Sequence, residues 1–194
     1  MQPAVREQTL QGEEMTIRIE TDRLVLRPLE PQDAEPHMAL MAEPPVAAYL
    51  SPGGKVQSSM DLWRQFASYL GHWRIRDFGF FAVEEKETGA FVGRVGPWMP
   101  EGWPGLECGW AIRSAHWGKG YAPEAAIASV QWTFERFPDL DRIISVIDPC
   151  NKNSQAVAAK IGQEKTGEIF EFWDVALNIW AADRRAWLAR FGRP

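Results

Sequence analysis

The sequence predicts a mixed α/β domain with one central sheet, and three observations carry that expectation. Short apolar runs with strand-like character recur along the chain, from Arg23-Leu24-Val25-Leu26-Arg27-Pro28 to the stretch 173–180. Between them lie segments whose apolar residues return at helical spacing, such as Leu62, Phe66, Tyr69, Leu70 and Trp73. The order of the two kinds is strand, two helices, three antiparallel-looking strands, helix, strand, helix and two strands, without repeat, low-complexity block or linker. Residues 16–194 therefore read as a single domain behind a polar tail of residues 1–15, long enough for a substantial core.

Each element has its own signal. The first strand, 23–28, stops at Pro28, and Asp33 is placed to cap a helix over 34–42 that Glu43-Pro44-Pro45 ends. Residues 46–55 read as loop, closing on Pro52-Gly53-Gly54. Ser58 with Asp61 resembles a capping box opening the helix of Leu62 to Trp73. Strands follow at 80–83, 90–95 and 106–112, the last reached through a Pro- and Trp-rich loop over 97–105. Ala126, Ile127, Val130, Phe134 and Phe137 mark a helix broken by Pro138, and 142–147 is a strong strand. A short helix over 154–161 stops at Gly162; strands at 164–169 and 173–180 and a helix over 183–191 complete the chain.

Composition excludes several classes. A hydrophobic fraction of 45% with 24% charged residues is that of an ordinary globular chain. A net charge of −5 argues against a nucleic-acid partner and is compatible with a cationic one such as an amine. Cys108 and Cys150 lack metal or redox spacing, so no metal site or disulfide framework is expected and a reducing cytoplasm is the simplest home. No signal-peptide core is visible, and no segment approaches the roughly 20 apolar residues of a membrane span. Ten tryptophans favour a binding groove, because the indole suits both cores and cleft walls.

The most informative stretch is Arg113-Ser114-Ala115-His116-Trp117-Gly118-Lys119-Gly120-Tyr121-Ala122-Pro123-Glu124-Ala125, which joins the strand 106–112 to a helix. Such a turn leaves N–H groups unpaired at a helix N-terminus. Its glycines keep side chains away, so those groups and the helix dipole can hold a phosphate or pyrophosphate. Gly118-Lys119-Gly120 is no Walker motif, since the preceding glycine and the Lys-Ser/Thr pair are missing.

Four blocks in order give the chain a family likeness: Thr21–Arg27, Thr88–Gly96, Leu106–Ile112 running into Trp117–Ala125, and Asn151-Lys152-Asn153-Ser154 continued by Ala159-Lys160-Ile161-Gly162. In these the sequence resembles the GNAT acetyl-CoA-dependent N-acetyltransferases, in particular the branch with the RimJ/RimL-type ribosomal-protein acetyltransferases. It departs from the usual pattern at Ala115, Gln163 and Ala122-Pro123; proline in a first helical turn removes an N–H that has no intrahelical partner.

The resemblance implies the GNAT fold, a single, mostly antiparallel sheet with splayed middle strands flanked by helices, and acetyl-CoA as cosubstrate. It places pantetheine along Trp110, Ala111, Ile112 and Arg113, and the pyrophosphate against Trp117, Gly118, Lys119, Gly120, Tyr121 and Ala122, with Lys119 or Arg113 able to add charge. Asn151 would hold pantetheine and Ser154 would donate a proton to the departing sulfur, although both residues are also natural helix caps. Glu107 would be the general base; the alternative is a structural pairing with Arg94 or another base. By strand alternation Cys108 faces away from Glu107.

His37 and His72 are expected at the surface or in a groove, and His116 in local packing. Trp98, Trp103 and Tyr49 are expected to frame an acceptor pocket, with Trp63, Trp73, Trp110, Trp117 and Trp132 in the core or cofactor wall. The implied activity is acetyl transfer to a primary amine, on a protein N-terminus or a small molecule, by direct attack in a ternary complex. A non-catalytic acyl-CoA sensor or scaffold is the alternative, and a homodimer stays open.

Overall fold

A computed structural model describes residues 17–192, so the expected tail of residues 1–15 lies outside the described residues. Eight strands form one sheet: β1 (Ile19–Glu20), β2 (Leu24–Pro28), β3 (Phe81–Glu85), β4 (Phe91–Trp98), β5 (Glu107–Ile112), β6 (Arg142–Ile147), β7 (Glu164–Phe172) and β8 (Val175–Asp183). Their order is β1-β2-β3-β4-β5-β6-β8-β7, antiparallel throughout except between β5 and β6. The helices are α1 (Ala34–Met41), α2 (Pro44–Leu50), α3 (Ser59–Arg76), α4 (Tyr121–Arg136), α5 (Lys152–Lys160) and α6 (Arg184–Phe191).

Strand alternation sorts the side chains between two helical layers. Phe81 and Val83 turn to one face and join Ala125, Val130 and Phe134 of α4 in the main core. Phe80 and Ala82 turn to the other, against Phe66 and Tyr69 of α3. Leu40, Met41 and Leu62 continue this second layer over Ala111 of β5.

Several sequence expectations are corrected. The segment 46–55 is not simply loop, because Pro44 and Pro45 open α2 where they were expected only to close α1. Proline supplies a preset φ and lacks the N–H that a first helical turn leaves unpaired. Asp33 does not cap α1 with its side chain; its carboxylate binds the Arg27 guanidinium (2.7 Å) and accepts the Glu30 N–H (2.8 Å). Ser58 does cap α3, accepting the Asp61 N–H at 3.2 Å. A short β1, unseen in the sequence, extends the sheet edge.

His37 and His72 are buried and not surface residues. His72 is satisfied within the fold, its Nδ1 bonding the Phe78 carbonyl at 2.7 Å while its Nε2 accepts the Met99 N–H. His37 packs between the Phe66 and Tyr69 rings, and burial, with the nearby Arg94 charge, pushes its pKa down to about 3. Trp63 is the reverse case, 59% exposed on the outer face of α3 and part of no core.

Candidate active site

The sheet opens where β5 meets β6. β4 and β5 stay in register over six residue pairs, whereas β5 and β6 share only Glu107 with Ile144. The Ser145 hydroxyl makes a last link to the Cys108 carbonyl at 2.6 Å. Because the Arg113 N–H bonds the Val92 carbonyl on β4, alternation turns the main-chain groups of Trp110 and Ile112 toward the gap. The Ile112 carbonyl is already taken by the Trp117 indole N–H (2.7 Å), which closes the turn after β5.

That turn is a cradle of unused donors. Gly118 and Gly120 have φ of +78° and +82°, the left-handed region in which glycine is strain-free. Among the described residues the N–H groups of Gly118, Lys119 and Gly120 donate to no protein acceptor. Those of Tyr121 and Ala122 begin α4, where no intrahelical partner exists. Residues from other elements hold the cradle in place. The Glu124 carboxylate accepts from the Thr21 hydroxyl (2.6 Å), the Arg23 N–H (3.0 Å) and the Arg23 guanidinium, which also reaches the Lys119 carbonyl (2.8 Å). The separated sequence blocks around Thr21 and Glu124 are thus one structural unit. Glu43, between α1 and α2, anchors the other side by accepting the Ser114 N–H at 2.7 Å.

Two clefts follow from this geometry. A groove of about 660 Å³ runs along the open edge of β5, past Trp117, Gly118, Gly120 and Tyr121 to α5. An aromatic cleft of about 580 Å³ lies on the α3 face, with Trp98 and Trp103 on its wall. The clefts share Ala48, Tyr49, Leu50, Trp110, Asn151 and Ser154. Tyr49 therefore stands on the dividing wall.

Glu107 closes the bottom of the aromatic cleft. It is 8% exposed; its Oε2 accepts the Trp103 indole N–H (2.7 Å) and its Oε1 the Val146 N–H (3.3 Å). Burial pushes its pKa up to about 7 against the opposing pull of those two donors and of the Arg94 charge. Such a carboxyl exchanges a proton readily at neutral pH. Among the described residues Glu107 forms no ion pair, with Arg94 or with another base, although the Arg94 charge still acts on its carboxyl.

On the dividing wall Asn151 caps α5, its Oδ1 accepting the Ser154 N–H at 3.0 Å. The Ser154 Oγ accepts the Trp110 indole N–H at 3.3 Å, and its own proton has no acceptor among the described residues. Cap and cleft wall coincide at this helix start. Cys108 does face away, buried in the core, where loss of solvation drives its thiol pKa far up. Cys150 is exposed.

The two cations expected near a phosphate are otherwise engaged. Arg113 Nε lies 3.3 Å from Glu43 and Lys119 Nζ 3.8 Å from Glu85, and neither side chain is on the groove wall. His116 and Lys160 are on it instead. Sequence reasoning missed Lys160, the Trp103–Glu107 bond and the β7–β8 contribution of Phe172 and Trp173 to the cleft. Each depends on a long-range approach that leaves no local spacing signal.

Residues 23–164 match the family described as acetyltransferase (GNAT) domain. The uncharacterized YkkB protein of Bacillus subtilis is 33% identical over 171 residues, spanning 84% of this chain and 94% of that protein. Among solved structures, an acetyltransferase from Agrobacterium tumefaciens is 30% identical with a TM-score of 0.75, covering 86% of this chain and 94% of its own. Mycobacterium smegmatis RimJ, solved in complex with CoA-disulfide, shares the fold at 20% identity and a TM-score of 0.65, over 84% of this chain and 82% of that one.

Proposed function

The chain belongs to the GNAT acetyltransferase family, and from that premise we propose that it transfers an acetyl group from acetyl-CoA to a primary amine by direct attack in a ternary complex. Within the family the four sequence blocks favour the RimJ/RimL-type branch. The observation that carries the reading is the meeting of two clefts at one wall, with unpaired main-chain donors on one side and a buried carboxyl on the other.

The groove fits the cosubstrate. N–H groups from Gly118 to Ala122 would hold the pyrophosphate at the α4 N-terminus. The open edge offers the main-chain groups of Trp110 and the Ile112 N–H for pairing with the pantetheine amides. Acetyl-CoA supplies an acetyl group activated as a thioester.

The protein's own groups manage the protons. The ionised Glu107 accepts a proton from the amine, directly or through water, within a cleft whose aromatic walls limit solvent. The Ser154 hydroxyl presents an unused proton at the dividing wall for the departing thiolate, while the Trp110 indole fixes its oxygen. Each group is held by a donor from another element, which keeps the geometry fixed before substrate arrives.

The test is release of free CoA thiol from acetyl-CoA in the presence of peptides with varied N-termini, polyamines, aminoglycosides and amino acids. Turnover with at least one amine class is expected. Clear acetyl-CoA binding without thiol release across the panel would instead favour an acyl-CoA sensor.

A further inference from the structure

We propose that the acceptor is an amine that also carries a carboxylate, a free amino acid rather than a polypeptide N-terminus, and that Arg94 is the residue that binds the carboxylate. This rests on the aromatic cleft being the acceptor site.

Arg94 is a buried cation with no ion-pair partner among the described residues; Glu107, whose carboxyl feels its charge, lies beyond ion-pair distance. It is Arg94 that is 5% exposed and lines the aromatic cleft. Its Nε is buried with no hydrogen-bond partner among the described residues. Burying an unpaired guanidinium is costly, so such a group in a cleft wall is a receptor for an anion that arrives from outside. His37, close behind it, is held neutral by burial and offers no compensating negative charge.

The fold holds the guanidinium ready. Its Cζ lies 3.9 Å from the Phe80 ring centroid and 5.0 Å from that of Tyr69. Phe80 itself lies against Gly109 and stacks with Trp98 at 5.1 Å. A Cβ at Gly109 would come within 2.9 Å of the Phe80 ring, and one at its register partner Gly96 within 2.8 Å of the Phe80 Cα. The glycine pair thus makes room for Phe80, which carries Arg94. A planar cation fixed in this way presents its fork to a carboxylate with little entropy left to lose.

The cleft is also polar in the right sense. Arg94 and Glu107 share one sheet face, since Arg94 pairs with Ala111 and Glu107 lies four residues before Ala111 on β5. Separated from each other, they give one cleft a cation and a proton-accepting carboxyl, the complement of an amino acid's carboxylate and amine. The Ser51 hydroxyl is a further buried group on the same wall, unpartnered among the described residues. The other acidic side chains there, Glu101 and Asp148, are engaged with Arg76 and the Cys150 N–H. The surrounding Trp98, Trp103 and Phe172 favour an apolar or aromatic side chain on the acceptor.

The experiment compares free amino acids with their carboxamides, first for binding to the CoA-loaded protein by calorimetry, then for turnover with acetyl-CoA. Wild type should prefer the acid by about 10- to 100-fold in both readouts. Arg94→Met should bring that ratio near one, and Arg94→Lys should retain part of it. If Arg94→Met does not fold, Arg94→Lys and the wild-type ratio decide. Equal or better binding of carboxamides, peptides or polyamines by wild type, or an acid preference that survives in Arg94→Met, overturns the proposal. Acid-selective binding without thiol release would remove the acetyl-transfer reading while leaving the carboxylate site standing. Turnover of polyamines or peptides without acids would do the opposite.

Discussion

The edge groove and the aromatic cleft share a wall but are built from different material. The groove is main chain: an unpaired strand edge and a run of N–H groups, supplied by one continuous stretch from Trp110 to Ala122. The cleft is side chain, drawn from α2, α3, three strands and the β7–β8 hairpin. A main-chain site tolerates most side-chain changes and fails where φ must be positive. A side-chain site fails one residue at a time. On the function proposed here, changing the cleft while keeping the groove should alter the acceptor and leave the donor in place.

Removing the cleft's carboxyl should separate the two regions most sharply. Glu107→Gln is expected to lower kcat by about 100-fold or more, the contribution of a positioned general base. Acetyl-CoA affinity should stay within about threefold, because Glu107 lies outside the groove. Steady-state kinetics with direct acetyl-CoA titration measure both. Unchanged kcat at saturating substrate would remove Glu107 from the mechanism, and a parallel loss of affinity would show that the clefts are not independent.

The groove's counterpart is a backbone change. Gly118 sits at φ +78° and Gly89, in the β3–β4 turn, at +69°, and a Cβ at either meets nothing within 4 Å. Alanine at each position should therefore cost a similar ~1 kcal/mol of stability from left-handed strain alone. Gly118→Ala should also weaken acetyl-CoA binding by about 10-fold, as relaxation of the strain turns the N–H groups away. Equal affinities in the two variants would mean that the turn does not hold the pyrophosphate.

The same contrast explains what could be read from sequence. The glycine turn, β5 and the α5 cap are local patterns, and the structure forms each of them close to the expected residues. Glu107 was singled out by its place on the strand leading into that turn together with the family resemblance, and the structure places it buried on the cleft wall. Its indole partner was not: Trp103 reaches it across a Pro-rich loop, and no periodicity encodes that approach. α2 was hidden because two prolines end one helix and begin the next with the same residues. His37 and His72 were misplaced because polarity suggests surface, whereas rings packed on Phe66, Tyr69 and Trp98 make both part of the interior.

The smallest expected effect tests how the cleft tunes its base. Glu107 must be ionised to accept a proton, so kcat/KM should rise with pH through about 7 and fall below it. Two influences act on that midpoint in opposite directions. Burial raises it, and the Trp103 indole N–H, which favours the ionised form, lowers it. Trp103→Phe removes the donor but keeps a ring against Phe170 and Phe172, so the cleft stays closed to water. The acid limb should then move up by about half a unit to one unit, the worth of one ordinary hydrogen bond. Trp103→Ala removes donor and ring together; water enters, burial weakens, and the limb should move less or downward. A kcat/KM profile for the three proteins distinguishes these cases. Identical limbs in wild type and Trp103→Phe would mean that burial alone sets the base, and the indole then serves only to close the cleft.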